Sequence, residues 1–233
     1  MAYQCVGATQ WVAPTLFTTM PNKKRALLIS SFLLVPIMLV WFQITTTYLG
    51  AKWGYIIGLV GYWTYCLFTA WLMAGFDWNY FRGAWNGQSE NKYTKWIFLA
   101  AFIPVIPTFF ISFLYPLNNL TLATLALAIF TSVMNGPIEE FYWRGLYLLE
   151  YRENKWIGFF LSTVLFGLWH FAVWFAKDVH YNGGVLPLVG GAYFLGLLWA
   201  WVTRFTGNFR AAAFAHILVN IFALTGLFVN NGF

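Results

Sequence analysis

Long apolar segments alternate with short polar connections along most of the chain. A membrane-spanning helix needs about 20 mostly apolar residues, and on this rule the pattern predicts about seven spanning helices. They lie near residues 26–46, 54–75, 95–115, 119–149, 156–176, 185–203 and 210–229. The sequence therefore predicts an all-α, polytopic transmembrane helix bundle that forms a single integral membrane domain over residues 1–233, with an eighth span possible.

Two segments depart from this simple alternation. The fourth predicted span is too long for one straight crossing, and Gly136-Pro137 gives it a reason to bend, because proline lacks the amide proton of a helical residue. The segment from Gly75 to Trp85 is rich in aromatic residues and glycine. We expect this second segment to lie along the cytoplasmic interface rather than to cross the bilayer.

Composition supports the membrane interpretation. The chain is 61% hydrophobic and 9% charged, with a mean hydropathy of +0.65, whereas a soluble domain is about half apolar and about a quarter charged. Aromatic residues make up 22% of the chain, which suits the aromatic belts at membrane interfaces. Composition therefore excludes a water-soluble domain and makes the lipid bilayer the main solvent.

The net charge of +6 does not indicate nucleic-acid binding, because the basic residues are scattered singly and form no contiguous patch. Their distribution instead predicts how the chain is oriented in the membrane. With the N-terminus in the cytoplasm, most lysines and arginines fall inside, and only Lys52 and Lys177 fall outside. This asymmetry satisfies the positive-inside rule. Cys5 and Cys66 lie far apart, without the spacing of a zinc or redox site, and are expected to be structural.

Acidic residues are rare, and two of them lie inside a predicted span. Of seven Asp and Glu residues, only Glu139 and Glu140 are placed in this way, about 15 Å from the cytoplasmic end of the fourth span at the helical rise per residue. Burying an ionisable group there costs at least about 2.5 kcal/mol on insertion scales. Two adjacent carboxyl groups at this depth therefore indicate a function.

Helical geometry separates the roles of the two glutamates. Arg144 lies one turn beyond Glu140 on the same face and is its expected ion-pair partner. Glu139 points about 100° away from Glu140 around the helix, where no local cation holds it ionised, so it is the better candidate for a general base. The alternative for Glu140 and Arg144 is a buried pair that only locks helices together.

Two of the three histidines also fall inside spans. His170 follows Phe166 by one turn, so the phenyl ring can shield the imidazole from water. His216 and Asn220 share one helix face and can act as two neutral donors that stabilise an oxyanion. Counted from the cytoplasmic boundaries, Glu139, His170 and His216 lie at depths of about 15, 20 and 10 Å, which allows one shared cavity. This set is suited to acid-base hydrolysis of a peptide bond without a covalent enzyme intermediate.

These motifs resemble a known family. Glu-Glu-x-x-x-Arg, Phe-x-x-x-His and His-x-x-x-Asn, in this order on separate late helices, are similar to the motifs of the CPBP family of glutamic intramembrane endopeptidases, which includes CAAX prenyl proteases and bacteriocin-processing and immunity proteins. The resemblance covers about residues 119–229. It implies that Glu139 activates water, that His170 assists it, and that His216 with Asn220 forms the oxyanion hole.

The resemblance also implies an active-site cavity that opens toward the cytoplasm and laterally toward lipid, and it implies no metal or other cofactor. The family's substrates include prenylated CAAX termini, leader peptides and membrane-tethered C-terminal tags, which the motifs do not distinguish. A compact chain with short loops is typical of a prokaryotic plasma-membrane protein. We therefore expect a membrane-tethered peptide or protein as the substrate.

Three alternatives remain open at this stage. A zinc-dependent membrane protease would use two histidines and a glutamate as ligands, although Asn220 is a poor zinc ligand. A proton-coupled transporter would use Glu139, Glu140 and His170 as a relay, although no internal repeat is evident. A non-catalytic immunity or scaffold protein would only bind a partner in the membrane.

Overall fold

The computed structural model describes residues 22–75, 77–87, 92–154 and 156–233, and every regular element in these ranges is helical. Three residues with sequence-based predictions lie outside the described ranges. They are Cys5, predicted to be a structural thiol, Glu90, predicted to lie in a loop, and Lys155, predicted to be a cytoplasmic cation. We label the helices in chain order. They are α1 (Asn22–Ala74), α2 (Trp78–Asn86), α3 (Thr94–Phe113), α4 (Leu122–Glu150), α5 (Trp156–Trp174), α6 (Leu186–Thr206) and α7 (Arg210–Asn230).

Helix α1 is a helical hairpin rather than one straight rod. Gly50 breaks it with φ 75° and ψ 169°, a conformation open to glycine because it has no Cβ. The two arms, residues 22–49 and 51–74, then pack against each other so closely that a Cβ at Gly54 would meet the backbone of Thr45 and Thr46. The arms correspond to the first two predicted spans.

Six helices of the described chain are long and apolar enough to cross a membrane. Because the first of them contains both arms of the α1 hairpin, the predicted series of about seven spans and the all-α membrane bundle are confirmed. Helix α2 has 9 residues, too few to cross a bilayer. This length agrees with the expectation that the segment from Gly75 to Trp85 does not cross.

Helix α4 carries the glutamates, and its irregularity lies beyond the predicted position. The helix remains helical through Pro137, and a wider turn follows at Phe141–Leu146. Such wider turns often occur at functional sites. The sequence therefore identified the irregular helix but placed the irregular turn too early.

Helices α4 and α7 pack closely because Gly136 has no side chain. A Cβ at this position would lie 3.0 Å from the backbone nitrogen of Ile217 and 3.2 Å from the carbonyl oxygen of Ala213. Small residues allow such close helix approaches in membranes. This approach brings the face of α7 that carries His216 against the glutamates of α4.

Most positive charges lie at one end of the bundle, which we call the cationic end. There the Tyr151 hydroxyl donates to the carbonyl of Lys24 at 2.6 Å, and the Tyr80 hydroxyl donates to Glu150 at 2.7 Å. Burial raises the pKa of the Tyr80 phenol, so the phenol stays protonated and keeps donating. The cations of this end are Lys23, Lys24, Arg25, Arg82, Lys92, Lys95, Arg152, Arg204 and Arg210.

The opposite end, which we call the far end, is formed by the Gly50 turn, the α5–α6 connection and the C-terminal residues. The backbone amide of Lys177 donates to Thr46 Oγ1 at 2.9 Å. The backbone amide of His180 donates to Asn231 Oδ1 at 2.8 Å, and Asn231 Nδ2 donates to the His180 carbonyl at 2.9 Å. These bonds fix the α5–α6 connection over the far end.

Candidate active site

The two glutamates of α4 are almost completely buried, with 1% of Glu139 and none of Glu140 exposed. The imidazole of His216, on α7, lies between them. Its Nδ1 is 2.8 Å from Glu140 Oε1, and its Nε2 is 3.2 Å from Glu139 Oε2. One ring therefore links both carboxyl groups, which places His216 in the predicted cavity but in contact with the acids.

Glu140 also accepts from Arg144, which lies one turn further along α4. Arg144 Nη1 is 3.1 Å from Glu140 Oε1, the oxygen that His216 Nδ1 also contacts. The predicted ion pair is therefore confirmed. The Arg144 guanidinium lies 4.0 Å from the centre of the Phe166 ring, a cation–π distance, so Phe166 contacts this pair as well as His170.

Glu139 is held by residues that the sequence motifs do not include. Asn135 Nδ2 donates to Glu139 Oε2 at 2.9 Å, and the indole of Trp63, on the second arm of α1, donates to Asn135 Oδ1 at 2.7 Å. The spacing of Asn135, one turn before Glu139 in an apolar span, was an available signal. Trp63 had no signal, because its contact with Asn135 depends on tertiary packing.

The partner of Glu139 comes from another helix. Helical spacing predicts no local cation for Glu139 on α4, and the structure places His216, on α7, beside it. The contacts with Asn135 and His216 both engage Oε2, while Glu139 Oε1 is buried and has no hydrogen-bond partner within the described ranges. One carboxylate oxygen is therefore held by hydrogen bonds, and the other makes none to the described residues.

His170, on α5, has a defined orientation. Its Nδ1 lies 2.8 Å from the carbonyl oxygen of Phe166, and because a carbonyl only accepts, Nδ1 carries the proton. In the neutral ring, Nε2 is then free to accept a proton. The Phe166 ring packs edge-on against the imidazole at 4.8 Å, which confirms the predicted contact between these two side chains.

Asn220 lies one turn beyond His216 on α7, and its side chain has no hydrogen-bond partner among the residues that the structure describes. The two side chains share a cavity, as predicted, but they are not equivalent donors. Both ring nitrogens of His216 already face carboxylates, and its ring stacks on Trp199 at 4.5 Å. Asn220 is the donor left unengaged, and an oxyanion role for His216 would require Nε2 to leave Glu139.

The four candidate catalytic side chains line one cavity of about 540 Å³. Glu139, His170, His216 and Asn220 all contribute to its wall, whereas Glu140 and Arg144 lie behind it. Much of the remaining wall is apolar or aromatic and includes residues from α1 and α3. Residues before position 119, which carry no part of the family resemblance, therefore complete the cavity.

The cavity extends toward the far end of the bundle. Its lining includes Tyr181 and Asn182 of the α5–α6 connection and Tyr55 near the Gly50 turn. The family resemblance implies an opening toward the cytoplasm. The positive-inside rule predicts that the far end is the outer end, so the two predictions assign this end of the cavity to opposite sides of the membrane.

The zinc alternative has no cluster of ligands in the described part of the chain, where no group of three or more His, Cys, Asp and Glu side chains could hold a metal ion. His170 and His216 belong to the same cavity but not to one candidate coordination shell.

Comparisons with known proteins agree with the motifs. No curated protein and no solved structure matches the chain. Residues 120–222 match the family model described as Rce1-like, type II CAAX prenyl endopeptidase. These residues contain every candidate catalytic side chain, and the match confirms the resemblance to the CAAX proteases of the CPBP family that the three motifs predict.

Proposed function

We propose that this integral membrane protein is a glutamic intramembrane endopeptidase, which hydrolyses a peptide bond in a membrane-associated peptide or protein. The observation that carries the proposal is the hydrogen bonding of the two carboxylate oxygens of Glu139. One of its carboxylate oxygens is fixed by Asn135 and His216, and the other is buried without a partner in a side chain that lines the cavity. This is the arrangement that a positioned general base requires.

Glu139 and His170 are suited to share the proton transfers. Glu139 Oε1 takes a proton from water, and the resulting hydroxide attacks the carbonyl carbon of the peptide. His170, with Nδ1–H held by the Phe166 carbonyl, offers Nε2 as a second acceptor and later donor. A base within hydrogen-bond reach of the attacking water contributes about 10²–10⁴-fold in rate.

Asn220 is suited to stabilise the tetrahedral intermediate. Its amide has no hydrogen-bond partner among the residues that the structure describes, and it lines the same cavity as Glu139. An amide donor aimed at the developing oxyanion contributes about 10²–10³-fold. His216 instead links Glu139 to the buried pair of Glu140 and Arg144, and it acts first as a positioning residue.

The reaction balances without a covalent enzyme intermediate. The hydroxide oxygen forms a bond to the carbonyl carbon, and the bond between that carbon and the amide nitrogen then breaks. The proton taken from water passes to the departing nitrogen, which leaves as an amine. The products are a carboxylic acid and an amine, and Glu139 returns to its starting state.

Variants of the proposed base test this function. Purified protein in lipid vesicles is incubated with membrane-tethered peptides, and the products are identified by mass spectrometry. Glu139→Gln and His170→Ala should each lower kcat by about 10²–10⁴-fold, while near-wild-type thermal unfolding shows that the fold is kept. Equal cleavage by wild type and both variants would show that the proposed site is wrong.

Two further measurements separate the mechanism from its rivals. Full activity after treatment with a metal chelator is expected, and loss of activity that added zinc restores would favour the metalloprotease. Trapping with a second nucleophile distinguishes direct hydrolysis from a mechanism that passes through an acyl-enzyme intermediate. Added hydroxylamine should give no hydroxamate product, because no acyl group is held on the protein.

A further inference from the structure

The direction from which the cavity is reached bears on the class of substrate. The cationic end and the far end of the bundle are distinct, and most described lysines and arginines lie at the first. Lys52 and Lys177 are the cations of the far end, where Asp178 adds a negative charge. By the positive-inside rule, the cationic end faces the cytoplasm and the far end faces the opposite side of the membrane.

The candidate site is closed toward the cationic end. Helix α2 covers this side, where the Phe81 ring packs on Phe141 at 5.0 Å and the Trp85 ring packs on Phe209 at 5.2 Å. Phe209 is fully buried, and Phe141 is 9% exposed. The buried pair of Glu140 and Arg144 also lies on this side. The residues that line the cavity therefore lie on the opposite side of the glutamates, toward the far end.

The cavity also reaches the lipid-facing surface between α3 and α6. The two helices touch where the Trp199 indole donates to the Ala101 carbonyl at 3.1 Å. Nearer the far end, Ile103 on α3 and Phe194 on α6 both line the cavity, and each is 62% exposed. These apolar side chains border the lipid-facing side of the cavity, which we call the gap between α3 and α6.

We propose that the site is loaded from the far-end half of the bilayer, through the gap between α3 and α6, by the membrane-anchoring apolar segment of an exported protein or peptide. The inference rests on the proposed function for the cleavage step, but not for the direction of access. A peptide confined to the cytoplasm cannot reach the gap. The substrate class therefore narrows to chains tethered in the membrane and exposed on the outer side.

Cysteine accessibility tests the direction of access without requiring activity. Cys5 and Cys66 are replaced by serine and alanine, and a single cysteine is introduced by Asn182→Cys beside the cavity or by Glu153→Cys at the cationic end; both positions are exposed. A membrane-impermeant maleimide is applied to right-side-out and inside-out vesicles. We expect Asn182→Cys to be labelled only in the former and Glu153→Cys only in the latter. The reverse pattern overturns the proposal.

A second arm links access to cleavage. Two reporters carry the same apolar segment and the same flanking peptide, placed either on the outer or on the cytoplasmic side. We expect cleavage of the outer reporter alone, and loss of that cleavage after Asn182→Cys is labelled with a bulky maleimide. Cleavage of the cytoplasmic reporter would overturn the proposal, whereas no cleavage of either, with the expected labelling, would count against the proposed function instead.

Discussion

Asn135 and Asn220 both line the cavity, and the structure predicts that their loss has different consequences. Asn135 lies within a chain of hydrogen bonds, accepting from Trp63 at 2.7 Å and donating to Glu139 at 2.9 Å. Asn220 has no hydrogen-bond partner among the described residues. The matched substitutions Asn135→Ala and Asn220→Ala therefore separate positioning of the base from contact with the substrate.

The expected cost of Asn135→Ala follows from the bonds that it removes. A hydrogen bond to a charged group contributes about 1.5–3 kcal/mol, and an interhelical hydrogen bond in a membrane averages about 0.6 kcal/mol, with a maximum of about 1.7. The free energy of unfolding should fall by about 2–5 kcal/mol in total. Because Glu139 loses a positioning contact, kcat should also fall by about 10²-fold.

Asn220→Ala removes no hydrogen bond to another described residue, so the free energy of unfolding should change by less than about 0.5 kcal/mol, while kcat falls by about 10²–10³-fold. Both variants are compared with wild type by denaturant unfolding in detergent micelles and by cleavage kinetics in vesicles. The reasoning is refuted if Asn135→Ala unfolds and cleaves like wild type, or if Asn220→Ala is destabilised as strongly as Asn135→Ala.

Three further changes test other parts of the site. Gly136→Ala should separate α4 from α7 and lower both thermal stability and kcat, whereas Gly83→Ala, where a Cβ would meet only ordinary contact, should preserve both in the same assays. Glu140→Ala leaves a buried cation without its partner and should cost about 3–5 kcal/mol of unfolding free energy; unchanged denaturant unfolding would contradict this. Cross-linking a variant with both Ile103→Cys and Phe194→Cys by a bifunctional maleimide should abolish cleavage, while neither single cysteine variant should respond to the same treatment.

The parts of the site that were predictable from sequence are those set by a single helix. The pairs of Glu140 with Arg144 and of Phe166 with His170 follow from one turn of helical spacing, and the structure contains both contacts. Such pairs need only the helix to form, because residues four apart share a face. The spans were predictable for a similar reason, since each is a continuous apolar run.

The remaining contacts depend on which helices touch. His216 reaches both glutamates because Gly136 lets α7 approach α4, and helical periodicity does not contain that information. The same holds for Trp63, whose bond to Asn135 connects residues 72 positions apart. The position of the cavity also depends on α1, α3 and α6, whose side chains complete its wall, and no periodicity of a single helix contains that arrangement.

The link that His216 makes between the two acids has a consequence for biosynthesis. When α4 first enters the membrane, it carries two acidic side chains in its buried part, Glu139 and Glu140, but only one basic partner, Arg144. The imidazole that contacts both acids arrives with α7, the last helix that the structure describes. Assembly of the site is therefore a late event, and a nascent chain stalled before α7 should present an unshielded acidic residue to the machinery that removes unassembled membrane proteins.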